Sequence, residues 1–108
     1  MKLSALVVAH NEQARLAACL EKLAFADEIV VVCDKCTDAT PDIARAFGAR
    51  VVEGSWDIEG DRRNTGIEAC SGDWVLEVDA DEHVPPALAA EVRRVIDTTS
   101  ADWHEILV

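Results

Sequence analysis

Residues 28–41 read EIVVVCDKCTDATP. Glu28–Cys33 is a β-branched run with no polar interruption, as expected of a strand buried on both faces. Cys33-Asp34-Lys35-Cys36-Thr37-Asp38 follows as a polar strand end and loop. Thr40-Pro41 then supplies an N-cap and a first-turn proline for a helix that Gly48 closes. A strand, a polar loop and a helix start in so short a stretch predict an α/β unit.

The flanking sequence repeats that alternation. Leu3–Ala9 (LSALVVA) reads as another buried strand, and Asn11–Phe25 places Leu16, Leu20, Leu23 and Ala24 at helical spacing. Downstream, Arg50–Glu53 is a short strand. Gly60–Cys70 is a helix ending at Ser71-Gly72, and Asp73–Val78 is a fourth strand. Pro86 starts a helix with Leu88, Val92, Val95 and Ile96 on one face. Asp97–Asp102 is a polar connection before a last strand over Trp103–Val108. The order β-α-β-α-β-α-β-α-β predicts a Rossmann-like, mostly parallel sheet with helices on both faces. Ligands of such sheets bind beyond the carboxyl ends of the strands.

At 108 residues the chain is one domain, 1–108, and 50% hydrophobic content supplies a core. Ten Lys and Arg face 21 Asp and Glu, a formal charge of −11. That surface repels a phosphate backbone, so nucleic acid is excluded as a partner. No apolar run is longer than Ile29–Cys33, far short of the roughly 20 residues of a membrane-spanning helix. Met1-Lys2 enters the first strand directly, without a signal-peptide pattern. Cys19, Cys33, Cys36 and Cys70 are scattered, which suits reduced thiols in a cytoplasmic protein.

Three polar clusters fall at strand ends: His10-Asn11-Glu12, Cys33 to Asp38, and Asp79-Ala80-Asp81-Glu82. Asn11 and Asp38 also suit helix capping. Asp79 and Asp81 emerge from a buried strand into a turn, where residues i and i+2 can face one cation. A hard ion such as Mg²⁺ takes one or two carboxylates and completes its shell with substrate phosphates. A solvated acidic turn before the Pro86 helix is the alternative. Arg62-Arg63 could hold a diphosphate or form an exposed ion pair.

The segments LSALVVAHNE, EIVVVCDKCTDAT, RRNTG and GDWVLEVDADE resemble, in order and spacing, the nucleotide-sugar half of glycosyltransferase family 2, which has the GT-A fold. Trp56, Arg63-Asn64 and DWVLEVDADEHVPPALAAEV are similar to the branch that adds β-1,4-glucose to lipopolysaccharide or lipooligosaccharide cores. The resemblance implies that Ala9, His10, Asn11 and Glu12 line a nucleoside pocket and that Asp34 contacts base or ribose. It implies that Arg63 and Asn64 face the donor phosphates or sugar. Asp79 would bind ribose and, with Asp81, a Mg²⁺ or Mn²⁺ bridging the diphosphate. The implied donor is a nucleoside-diphosphate sugar, with UDP favoured, and the implied acceptor a glycan or glycolipid hydroxyl.

Two departures stand out. The family usually reads D-D-G-S or D-S-G-S after the second strand, where this chain has Cys33-Asp34-Lys35-Cys36. An inverting transferase also needs a general base, which the family carries well downstream of its D-x-D. Glu82 and Glu105 do not match that position. The expectation is therefore a truncated donor-binding part, inactive alone, with base and acceptor site beyond Val108. It would be cytoplasmic, or peripheral at the inner membrane through the missing region. An unfinished sheet edge at residues 103–108 would allow homo-oligomers.

Three rival readings fit parts of the sequence. Cys33-x-x-Cys36 after a strand suggests a thiol-redox or metal module, but Thr37 to Thr40 intervene before the helix and no second pair completes a zinc site. Phosphoryl transfer through an Asp79 nucleophile needs a later Lys, and none follows Asp81. A non-catalytic nucleotide-binding module is the third.

Overall fold

The computed structural model describes residues 2–98 and 104–107. The strands are β1 (Leu3–Ala9), β2 (Glu28–Asp34), β3 (Arg50–Gly54), β4 (Trp74–Asp79) and β5 (His104–Leu107). The helices are α1 (Leu16–Glu21), α2 (Thr40–Ala46), α3 (Glu59–Ala69) and α4 (Pro86–Thr98). The sheet order is β3-β2-β1-β4-β5, and every recorded pairing is parallel. The expected α/β alternation and parallel sheet are both present. Trp103, Val108 and the Thr99–Asp102 part of the expected connection lie outside the described residues.

The pleat divides the core. Leu3, Ala5, Val7 and Ala9 of β1, with Val31 and Cys33 of β2 and Leu76 of β4, face α1, α2 and α4. Leu6, Val30, Val32 and Val75 point to the opposite face, where Ile67, Ala69 and Cys70 of the α3 segment cover them. Each fully buried Leu or Val contributes roughly 1.5–3 kcal/mol. Only Gly66 of α3 is fully buried. A Cβ there would meet Leu6 Cδ1 at 2.8 Å and Val32 Cγ2 at 3.0 Å, so glycine is what lets α3 lie close to the sheet.

Local corrections follow from tertiary contacts. The helix expected over Asn11–Phe25 contracts to Leu16–Glu21, because residues 11–13 are held to the β2–α2 loop instead. Ala39, not Thr40, occupies the N-cap of α2, and Thr40 is buried inside the first turn beside Pro41. Asp97 and Thr98 continue α4 rather than beginning a connection.

β2 and β3 extend away from β1 on one side and β4 on the other. The chain therefore reverses direction between β1 and β4, which opens a crevice at their carboxyl ends.

Candidate functional site

Strand register fixes which polar residues meet. Ala9 pairs with Cys33, Asp34 with Gly54, and Val8 with Asp79, so the strands run out at one level of the sheet. His10 consequently lies beside Asp34, and its Nδ1 donates to the Asp34 carbonyl at 2.7 Å.

The β1–α1 and β2–α2 loops are laced together. Asn11 adopts φ 51°, a left-handed conformation that asparagine tolerates. Its side chain accepts from Thr37 N at 2.7 Å and donates to Thr37 Oγ1 at 3.2 Å. Glu12 N donates to Thr40 Oγ1 at 2.9 Å, Gln13 N to Asp38 Oδ2 at 3.3 Å, and Ala39 N to Gln13 Oε1 at 3.1 Å. Asn11 thus ties two loops and does not cap α1, which has no side-chain cap. Asp38 does act at α2, accepting from Thr40 N at 2.9 Å. The Thr40 hydroxyl first, and then that amide, hold its carboxyl below the usual range.

Asp34 is the hub of the edge. It is 6% exposed. Oδ1 accepts from Trp56 N at 3.1 Å, and Oδ2 accepts from Arg62 at 3.1 Å. Burial pushes its carboxyl up, but the Trp56 amide and Arg62 guanidinium outweigh burial and hold it below the ordinary aspartate value. Its carboxylate is therefore engaged by the protein, whereas the resemblance implies a contact to base or ribose. Lys35, where the resemblance expects glycine, adopts φ 55°, a left-handed conformation that carries a strain cost for a residue with a Cβ.

A cleft of about 220 Å³ opens at the β1–β4 crevice, against Leu6 and Val8. Its polar wall is Arg62, Arg63, Glu59, Glu77, Asp79 and Glu82. Arg63 Nε donates to Glu77 at 2.9 Å, and Arg62 also approaches Glu59 at 3.7 Å. Arg62 Nε is buried without a partner among the described residues. Two guanidiniums thus face four carboxylates, so an anionic ligand is repelled unless a cation enters with it. Asn64 is exposed and does not line this cleft.

The Asp79–Glu82 turn closes on itself, with Glu82 N donating to Asp79 O at 2.9 Å and Asp79 N to Glu82 Oε1 at 3.1 Å. The carboxylates of Asp79 and Asp81 are exposed and have no protein partner among the described residues. No three His, Cys, Asp or Glu side chains converge among the described residues. Asp79 lines the cleft and Asp81, two residues on in the same turn, does not; free carboxylates of this kind suit a Mg²⁺-like ion only where phosphate and water complete its shell.

The sequence points to the Arg62-Arg63 pair at this edge but not to Glu59 and Glu77, nor to the bonds that Arg62 and the Trp56 amide make to Asp34. Nothing in the sequence separates Arg62 from Arg63, since the partner Asp34 lies 28 positions away. Among the thiols, burial and the nearby Cys36 push Cys33 up to about 12. That is the reverse of the activation a redox C-x-x-C requires.

The sequence profile of Glycosyl transferase family 2 matches residues 4–103. An uncharacterized glycosyltransferase of Rickettsia typhi is 31% identical over 104 residues, covering 95% of this chain and 36% of that protein. The lipopolysaccharide core biosynthesis glycosyltransferase LpsC of Rhizobium meliloti is 30% identical over 97 residues, covering 82% and 34%. Glucosyl-3-phosphoglycerate synthase from Mycobacterium tuberculosis, solved with Mn²⁺, UDP and glucosyl-3-phosphoglycerate, superposes with a TM-score of 0.73 at 25% identity. That match covers 92% of this chain and 40% of the synthase, a GT-A fold enzyme. The chain spans about a third of the length of the curated relatives it matches. On the match across residues 4–103, the chain belongs to glycosyl transferase family 2.

Proposed function

We propose that this chain is the donor-binding part of a metal-assisted, inverting sugar transferase. The whole protein transfers a sugar from a nucleoside-diphosphate sugar, with UDP favoured, to a hydroxyl of a glycan or glycolipid. The observation that carries this reading is the meeting of Arg62, Arg63 and Asp79 around one cleft at the β1–β4 crevice. Ala9, His10, Asn11 and Glu12 form the nucleoside side of the site, with Asp34 bracing it through His10 and Arg62. Arg62 and Arg63 supply positive charge on the diphosphate side. Asn64 contributes only at the outer rim, being exposed.

Asp79 and Asp81 would hold a Mg²⁺ or Mn²⁺. When bound, the ion offsets charge on the departing nucleoside diphosphate. The carboxylate excess of the cleft supports that need. The general base and acceptor site are assigned to the part of the relatives' length that this chain does not span. Glucose as the donor sugar, a lipopolysaccharide-core acceptor, and a cytoplasmic site peripheral to the inner membrane extend the proposal, and the likeness to LpsC supports the acceptor alone. Among the described residues no helix is long and apolar enough to cross a membrane. Self-association through the free edge of β5 belongs to the same proposal.

Calorimetric titration of UDP with and without Mn²⁺ tests the reading. Binding is expected to require the metal and to be lost in Asp81→Ala. Because the Asp81 side chain has no protein partner among the described residues, the variant should keep its melting temperature within about 0.5 kcal/mol of stability. No binding of any nucleoside diphosphate would sink the proposal.

A further inference from the structure

Both guanidiniums of the cleft are held by carboxylates of the chain itself. Arg62 meets Asp34 at 3.1 Å, and Arg63 meets Glu77 at 2.9 Å. The two carboxylates stand differently toward the cleft. Asp34 does not line it, whereas Glu77 forms part of its wall. Strand alternation puts Glu77 on the same side of β4 as Val75 and Asp79. Its register partner in β1 is Leu6, which packs with Val75 on the side that α3 covers.

A carboxylate is costly at that place. WVLEV is otherwise an apolar strand, and the Glu77 side chain is only 19% exposed. Its backbone lies in register between Leu6 of β1 and Leu107 of β5. Well-packed apolar residues can replace a largely buried ion pair without loss of stability, so anchoring α3 to β4 does not by itself call for one. What Glu77 does do is offset the Arg63 charge on the wall of the cleft. A diphosphate without a cation then meets a neutralised guanidinium, with Asp79 and Glu82 on the same wall.

From this arrangement we infer that Glu77 makes the cleft selective for a diphosphate that arrives with a divalent cation. It is a positioning residue that acts through Arg63. It holds the guanidinium in the unliganded cleft and cancels the attraction that Arg63 would otherwise exert on a metal-free nucleoside diphosphate. The metal dependence of binding is thus set by Glu77 as well as by the carboxylates at the strand end. This rests on the donor-site reading above and adds to it the residue that excludes the metal-free ligand. By linkage, the factor by which the cation tightens the nucleotide equals the factor by which the nucleotide tightens the cation.

Calorimetry of UDP with Mn²⁺ and in EDTA measures that factor. Wild-type protein is expected to bind at least about thirtyfold more tightly with Mn²⁺. Glu77→Gln keeps an oxygen that can accept from Arg63 Nε but removes the charge. It should tighten binding in EDTA by about tenfold and change binding with Mn²⁺ by less than about threefold. Glu77→Asp restores the charge and should return most of the metal dependence, which a purely structural role would not produce. Glu91→Gln removes the same charge from the exposed Glu91–Arg94 pair of α4, on the opposite face of the sheet. It should leave both constants within about twofold. If Glu77→Gln does not fold, Glu77→Leu removes the charge with a side chain suited to its Leu neighbours and reads the same constants. Equal binding by wild type with and without Mn²⁺, an unchanged factor in Glu77→Gln, or an equal fall in Glu91→Gln would overturn the inference. So would weaker binding with Mn²⁺ and no gain in EDTA, which would make Glu77 a ligand of the cation. If UDP binds to no variant under either condition, the donor-site reading falls and takes this inference with it. If wild type binds UDP with Mn²⁺ and Glu77→Gln keeps the full factor, only the inference falls.

Discussion

Asp34 Oδ2 and the Arg62 guanidinium meet at 3.1 Å across 28 positions of sequence, joining the end of β2 to the first turn of α3. The pair is asymmetric: the Asp34 side chain is 9% exposed and that of Arg62 26%. Removing the buried member strands both the Trp56 amide and a guanidinium whose Nε already lacks a partner among the described residues. Asp34→Ala should therefore cost about 2–3 kcal/mol, below the roughly 3–5 kcal/mol of a fully buried pair because Arg62 keeps some water. Urea unfolding measures it, and a loss under about 0.5 kcal/mol would show that the pair does not brace the edge.

The same residue shapes the acid response. In the folded protein the carboxyls of Asp34, Asp27 and Glu28 all lie below their ordinary values of 3.8, 3.8 and 4.5. For Asp34 and Glu28 burial acts upward but hydrogen bonds outweigh it. For Asp27 the Leu3 amide leads, with Arg93 second. The unfolded chain therefore takes up protons first as the pH falls, and stability declines. The contribution is complete above about pH 4.5 and is lost as the pH drops through the folded-state values, below 3.8 for the aspartates. Urea midpoints at pH 7, 4.5 and 3 should be level between the first two and lower at the third, with a shallower fall in Asp34→Asn.

Thiol chemistry separates the four cysteines. Burial pushes Cys33 up to about 12 and Cys19 and Cys70 to about 11. Cys36 and Cys70 are both only partly buried. Iodoacetamide at pH 8 should label Cys36 first in the native protein, with the other three lagging by about tenfold or more, and all four should react together in urea. Mass spectrometry of the peptides reads the order. Early labelling of Cys33 would restore the redox alternative.

Gly66 sets the distance between α3 and the sheet. A methyl group there would press on Leu6 and Val32, and overpacking of this kind costs about 1–3 kcal/mol. The gain in helix propensity from glycine to alanine, about 1 kcal/mol, offsets only part of it. Gly66→Ala should lower stability by about 1–2 kcal/mol in urea unfolding and weaken nucleotide binding as α3 carries Arg62 and Arg63 outward. A more stable variant would mean that α3 is not held by this contact.

The sequence by itself determined the strands and the existence of an acidic strand end. LSALVVA, EIVVVC and WVLEV read as buried strands, because short, mainly β-branched and aliphatic runs with a single polar residue each lose too much by facing water. Gly and Pro punctuated the rest, so α2, α3 and α4 were legible to within a residue or two. Helix α1 was not. Its apolar spacing was real, but the backbone of residues 11–13 found better partners in Thr37, Asp38 and Thr40 than a first helical turn offers. Tertiary structure also decided which arginine braces the site and which polar groups remain for a ligand. Packing also buries Asp34 against Trp56 and Arg62. His10 reads as one polar residue among three, and only the parallel register with Asp34 fixes its tautomer. Burial patterns are local and are written in the order of side chains. Hydrogen-bond assignments across strand ends depend on register between distant segments, which no local pattern encodes.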